Sequence, residues 1–501
     1  MTSLASIMPK SLSRDFPASI VVFLVAMPLC MGIAVASGVP PEKGLVTGII
    51  GGIIVGLLAG SPLQVSGPAA GLAVIVFEMV RDQGLSALGP VLLVAGAIQF
   101  VAGVMRLGGW FRAISPAVVH GMLAGIGLLI VVGQFHVLFD AKPLPNGLAN
   151  VAAMPERLLG LDANHPAVPA VMVGLITMAM MIGWEKLRPA SMRLVPGALM
   201  GVLAGTLTAF FMGLDVARVA VPDSIAASFV PSPETLSRLG EPALLISALA
   251  IAFIASAETL LSAAAVDRMH DGVRANYDKE LRAQGIGNAL CGVFGALPMT
   301  GVIVRSSANV QAGAVTRWSA ILHGIWILGF VALLPWLLNE IPMAALAGIL
   351  VITGWRLVSI QHVRHLFGRY GALPAMIWAA TLIMVVAEDL LTGVLVGLAL
   401  SLIELIPHAR RLGLRVQQED EADGQRIALD GAATFVTLPK LSAALEAAPR
   451  DKPVQLDLSR TTTVDHTCAE MLNEWLQRRR QSGQTTKLVG ASMRVQRLVA
   501  A

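Results

Sequence analysis

The sequence predicts an all-α polytopic membrane domain followed by a small cytoplasmic α/β domain, and three observations carry that expectation. Hydrophobic residues make up 55% of the chain and charged residues only 14%, where a soluble globule averages about 25% charged. Apolar runs of bilayer-spanning length, about 20 residues, recur up to position 412. After Leu412 the run QQEDEADGQ opens a tail of soluble character. A mean hydropathy of +0.73 and 49 glycines fit packed transmembrane helices, whose small residues let backbones approach. Cys30, Cys291 and Cys468 are far apart and odd in number, which excludes a disulfide framework or a zinc cluster. The net charge of +4 reflects loop bias and gives no sign of a nucleic-acid partner. Lys10 and Arg14 lead into an apolar run that continues as a span, so no cleavable signal is expected.

Full spans are expected near 17–36, 43–60, 88–105, 113–137, 168–184, 195–213, 243–265, 283–297, 318–336, 341–355, 372–387 and 389–407. Two apolar pieces, 66–80 and 301–314, are too short and broken to cross comfortably. Counted as short helices, they bring the expected segments to fourteen. Basic residues set the orientation. With the N-terminus inside, the inner loops carry Arg106 and Arg112, Lys186, Arg188 and Arg193, Arg317, Arg356, Arg364 and Arg369, and Arg410 and Arg411. The outer loops carry Asp215, Asp223, Glu234, Glu241, Glu388 and Asp389. Both termini are therefore expected in the cytoplasm. The stretch VDRMHDGVRANYDKELR reads as a solvated inner loop.

The two broken pieces are the third and tenth elements, so each is third in a set of seven when a second set begins at Glu241. Seven crossings is an odd number, so the repeats, about 12–240 and 241–412, would have inverted topology. Short, Gly/Pro-interrupted segments at matching positions of two halves point to a transporter's binding site. Ser66, Gly67, Pro68 and Ala69 would open one half-helix, and Thr300, Gly301 and Val302 the other. The first turn of a helix carries unsatisfied N–H groups and partial positive charge, so two facing starts would bind an anion.

Glu258 lies in an otherwise apolar run, where an isolated carboxylate costs about 3 kcal/mol or more, and function is the default reading. It is read as a sodium ligand, a proton carrier or a partner of Arg305. Ser262, one turn on, shares its face. Arg305, one turn into the second half-helix, either adds positive charge to the anion site, pairs with Glu258 or snorkels to the surface. His120 and His136 read as packing residues. In the tail, RIALDGAATFVTL, KPVQLDLS and KLVGAS read as strands, and Ala469 to Arg480 as a helix that Thr467 would cap.

The residues MPLCMGIAVASGVPPEKGL, QVSGPAAG, AETLLSAAAVDRM and TGVIVRSSANVQAGAVTR, with the tail, make the chain resemble the SulP (sulfate permease) family, the bacterial relatives of prestin and pendrin. The resemblance covers nearly the whole chain. It implies a transport domain (1–412) of core and gate parts moving in an elevator-like cycle, a STAS domain (413–501) and frequent dimers. By motif, Leu29 and Ile33 would face the substrate, which the half-helix residues Ser66, Gly67, Pro68, Ala69, Gly301, Val302, Ile303, Val304 and Arg305 would hold. Glu258, Ser262, Gly301 and Ile303 would form the coupling-ion site, for sodium or a proton. Ile303 departs from the hydroxyl residue of sodium-using relatives, which weakens the sodium case. Ala69 replaces a bulky aromatic of animal members, so a compact anion is expected. VDHTCAEML resembles the STAS strand-to-helix turn, and Thr467 falls near a residue phosphorylated in some stand-alone STAS proteins. His466 and Cys468 depart from the small residues usual there, which favours scaffold over switch. The tail ends at VQRLVAA, short of a full domain's last helix.

The expected function is secondary active transport of bicarbonate, with a separate carbonic anhydrase as a functional neighbour. The alternatives are a proton-coupled sulfate (or other dicarboxylate or oxyanion) transporter, an anion-gated prestin-like sensor, and a nucleobase permease of related architecture. No nucleophile–base set appears, so an enzyme is not expected, and no cofactor beyond sodium is implied.

Overall fold

A computed structural model describes residues 12–111, 115–162, 164–192, 194–222, 224–229, 237–270, 272–405, 413–421, 424–449, 452–481 and 483–490. Arg112, Arg193, Asp223, Glu234, Arg410, Arg411 and the VQRLVAA end lie outside the described residues. Two compact units are formed: Met1–Arg106 with Gly125–Val358 and Val386–Leu390, and Leu107–Ala124 with Ser359–Val385 and Leu391–Ala501.

In the first unit, α1 (Leu12–Ala36) and α2 (Pro41–Ile50, prolonged as far as Leu58) precede a three-residue strand β1 (Ser66–Pro68). Then come α3 (Ala73–Gln83), α4 (Leu88–Val104), α5 (Pro116–Leu138), which runs on from the second unit, α6 (Gly147–Leu159), α7 (Val168–Leu187) and α8 (Gly197–Phe211). The order repeats in outline with α9 (Pro242–Asp267), α10 (Tyr277–Val293), β2 (Met299–Gly301), α11 (Ile303–Gln311), α12 (Trp318–Leu333) and α13 (Met343–Leu357). Among the described residues, six helices are long and apolar enough to cross a membrane.

Glycine sets the tightest packing. An ideal Cβ on Gly96 of α4 would sit 2.5 Å from the Gly285 carbonyl oxygen of α10, and one on Gly292 would sit 2.6 Å from the Leu93 nitrogen. These two helices therefore meet backbone to backbone, and no larger residue fits at either place. Asp15 at the start of α1 accepts from the Val315 and Thr316 amides at 2.8 and 3.0 Å, fixing the loop that follows α11.

Several expectations are corrected. The first broken piece does not begin as a helix: Ser66–Pro68 is extended and α3 starts at Ala73. The inner loop is not wholly solvated, because α10 begins at Tyr277, capped by the Asn276 side chain on the Lys279 amide at 2.9 Å, and Glu280 is fully buried. Between the expected spans 113–137 and 168–184 lies a further helix, Gly147–Leu159: Asn146 accepts from the Ala149 amide at 2.8 Å and caps it.

The second unit contains α14 (Ile360–Tyr370), most of α15 (Ala372–Ala387) and α16 (Leu390–Leu405), and the C-terminal α/β domain. Its sheet has the order β3 (Leu414–Glu421), β4 (Gly424–Ala433), β5 (Val454–Val464), β6 (Thr486–Val489). The first pair is antiparallel and the others parallel. α17 (Leu438–Glu446) and α18 (His466–Gln481) supply the crossovers that parallel strands require. LRVQQEDE, whose acidic end opens the soluble tail, is an edge strand paired with β4. The β4 strand stops at Ala433 because Thr434 opens a capping box with Thr437. Asp465, not Thr467, caps α18: its Oδ1 accepts from the Cys468 amide at 2.8 Å, while the Thr467 hydroxyl is buried without a partner.

Candidate functional site

The two interrupted segments meet. β1 pairs antiparallel with β2, Ser66 opposite Gly301, Gly67 opposite Thr300 and Pro68 opposite Met299. Each strand runs directly into a helical start, Ala70–Leu72 then α3 on one side and α11 on the other. Proline and glycine explain why the chain stays extended: Pro68 supplies no N–H for a helix to use, and Gly67 and Gly301 accept close neighbours. An ideal Cβ on Gly301 would overlap the Gln64 side chain, and one on Gly67 would overlap the Arg305 guanidinium.

Hydrogen bonding decides which amides remain free for a ligand. The Gly301 amide donates to Thr259 Oγ1 at 3.2 Å and the Val302 amide to the Val65 carbonyl at 2.9 Å. The Gly301 and Val302 amides, expected to face an anion, are thus already engaged within the protein. Intrahelical bonding in α11 begins with Ser306 N–H to Val302 C=O at 3.0 Å, leaving Ile303, Val304 and Arg305 as the first-turn amides. On the other side it begins with Leu72 N–H to Ala69 C=O at 3.2 Å, leaving Ala70 and Gly71.

Arg305 is fully buried, and its three guanidinium nitrogens find no oxygen or nitrogen acceptor, the weakly accepting Cys30 sulfur lying beside them. Its charge acts on Cys30 of α1 and His323 of α12, which places it among α1, α12 and the Gly67 face of β1. It neither snorkels nor pairs with Glu258. Glu258 instead lies against Gly71: an ideal Cβ there would be 2.7 Å from Glu258 Oε2, and that oxygen is enclosed without a partner. The carboxylate therefore sits at the start of the first half-helix, a favourable place for negative charge. An orphaned carboxylate oxygen suits a cation or a proton; Ser262, one turn on, is buried, and Ile303 brings no side-chain oxygen.

Of the other expected residues, Leu29, Ile33, Ser66 and Ala69 are buried, as are Gly67, Pro68 and Gly301, whereas Ile303 and Val304 are exposed. His136 is buried and its Nε2 lies 3.1 Å from the Asn150 carbonyl, as a packing histidine would be. Reading the sequence missed Gln64, Thr259, Glu280, Gln284 and Asn288, all fully or almost fully buried around the strands. The signal was present in the last three, which recur every fourth residue and so share one helix face.

Half-helices that start from a crossed pair of strands inside a helical membrane protein define a transporter of the broken-helix class. Residues 12–381 match the Sulfate permease family and residues 415–501 match the STAS domain of the Mlab type, so the chain belongs to the sulfate permease family. It is 29% identical over 471 residues to YvdB of Bacillus subtilis (strain 168), provisionally named a sulfate transporter, covering 90% of this chain and 85% of that one. It is 24% identical over 439 residues to the bicarbonate transporter BicA of Picosynechococcus sp., covering 83% and 74%. The solved structure of SLC26A9 superposes with a TM-score of 0.71 at 15% identity, covering 99% of this chain and 88% of that chain. The chain is therefore an integral membrane protein of an anion-transporter family, not an enzyme.

Proposed function

We propose that the chain is a secondary active transporter of a small inorganic anion, with bicarbonate the first substrate and sulfate the second. The observation that carries this is the buried Arg305, which has no carboxylate or carbonyl partner, together with two half-helix starts whose first-turn amides have no backbone acceptor. A buried charge without a partner is costly, so the site gains most from an anion that fits the guanidinium and the amides together. Walls of Leu29, Ile33 and Ala69 favour a compact ion.

In this reading the two halves are inverted repeats of seven segments, and the strand pair with its half-helices forms the core that carries the anion past a gate in an elevator-like cycle. Glu258 couples transport to sodium or protons, since its free oxygen sits at one half-helix start. The protein works as a homodimer in a bacterial inner membrane, both termini cytoplasmic, and a separate carbonic anhydrase supplies or consumes its substrate. The names of YvdB and BicA support these substrates. The test is uptake of labelled bicarbonate and sulfate into proteoliposomes, with sodium and pH gradients imposed independently. Movement of neither anion under any gradient overturns the reading. Gradient dependence that survives Glu258→Gln removes the coupling role.

A further inference from the structure

One face of α10 carries a row of side chains that touches both arms of the site. Glu280 Oε2 accepts from the Gly60 and Ser61 amides at 2.8 and 2.9 Å, in the turn that leads into β1. Gln284 Nε2 donates to Ser66 Oγ in β1 at 2.6 Å and to Glu280 Oε1 at 3.1 Å. Asn288 engages β2 from its other flank: its Oδ1 accepts from the Met299 amide at 2.8 Å and its Nδ2 donates to the Met299 carbonyl at 3.1 Å. A side-chain amide thus does for Met299 what a third strand would do. Asn288 Nδ2 also donates to Gln99 Oε1 at 2.7 Å, and Gln99 Nε2 donates to Ser256 Oγ at 3.2 Å, extending the row to α4 and α9.

Three-residue strands are too short to hold a register unaided. The Val302 to Val65 bond puts the ladder hydrogen bonds at alternate pairs, so at the Met299 end the Met299 amide and carbonyl point outward and need partners from outside the strand pair. That end is also where the first half-helix begins. The acceptor character of Glu280 fixes which way the Gln284 amide faces, because only the nitrogen can donate to it.

We propose that Glu280, Gln284 and Asn288 are positioning residues that set the separation of the two half-helix starts, and through it the affinity and size preference of the anion site. None of them faces the guanidinium side of the strands, so they act through β1 and β2. The proposal rests on the transport reading above.

The decisive variant is Asn288→Ala, which strips Met299 of both partners. Purified protein is reconstituted, and KM and maximal rate are measured for bicarbonate and for sulfate. The expected result is a KM raised about tenfold or more, an altered bicarbonate-to-sulfate ratio, and a maximal rate per folded protein within about threefold of wild type. Unchanged KM values and an unchanged ratio, even with lowered thermal stability, overturn the proposal. Should that variant fail to fold, Glu280 keeps it testable. Glu280→Gln retains an acceptor for Gly60 and Ser61, and the Gln284 amide can turn over so that its oxygen accepts from the new N–H and from the Ser66 hydroxyl, so KM is expected to stay within about twofold, while Glu280→Leu raises it; equal KM values in the two overturn the proposal. Wild-type protein that moves neither anion refutes the transport reading itself, which separates the two failures.

Discussion

Replacing Arg305 by methionine should make the protein more stable and less able to bind its anion, two effects of opposite sign from one change. The guanidinium is fully buried and its three nitrogens have no oxygen or nitrogen acceptor. Each unsatisfied buried donor costs about 1–3 kcal/mol. Replacing buried charged groups by apolar side chains of similar volume often stabilises by about 1–4 kcal/mol. Methionine is unbranched and fills irregular space, so it suits the cavity among α1, α12 and β1. Arg305→Met is therefore expected to gain roughly 1–4 kcal/mol in anion-free buffer. Wild type, by contrast, gains about 1.4 kcal/mol from an anion held at ten times its Kd. The assay is unfolding of the detergent-solubilised protein, in gluconate and in buffers containing bicarbonate or sulfate. The variant should melt higher in gluconate and show no shift with either anion. A variant that melts lower in gluconate, or that keeps the wild-type anion shift, refutes the argument.

Gly67→Ala should abolish most uptake, because its Cβ overlaps the Arg305 guanidinium and overpacking of this kind costs about 1–3 kcal/mol; the same change in an Arg305→Ala background should leave stability nearly unchanged, as melting would show. In the C-terminal domain, Asp465→Ala should cost about 1 kcal/mol through the lost cap on α18, whereas Thr467→Ala should cost less, as denaturant unfolding of the two variants would report. The Arg426 guanidinium, with help from Ser459, holds the Asp457 carboxyl down at about 2. Its folded value lies below the unfolded value of about 3.9, so the stabilisation is complete above pH 4 and is lost as pH falls from about 4 to 2. Hydrogen exchange of β4 and β5 across that range should show the loss, and Arg426→Met should shrink it.

How much was legible before the structure follows from which forces are local. Apolar length and loop charge are properties of short windows, so a helix stands at each expected segment once the half-helices are allowed their strands. The broken pieces were legible because Gly67, Pro68 and Gly301 speak against continuous helix by themselves. Glu280 was misread because a charged residue beside Asp278, Lys279 and Arg282 looks solvated, and only the turn at Gly60 and Ser61 reveals its partners. The cap on α18 was misplaced by two residues because Asp465 and Thr467 are both good capping types, and backbone geometry chose between them.

By itself, then, the sequence determined the membrane class, the two interrupted segments and the soluble tail, since each depends on composition or on backbone preferences within a few residues. The tertiary structure alone decided which amides are spent and which are free. It moved the open amides from Gly301 and Val302 to Ile303, Val304 and Arg305, because Thr259 and Val65, which engage the first two, come from segments distant in the chain. It also decided that Arg305 and Glu258 stand apart, each unpaired, at different half-helix starts. Hydrogen bonds and ion pairs depend on distances of a few ångströms between residues hundreds of positions apart, and a linear pattern does not carry those distances.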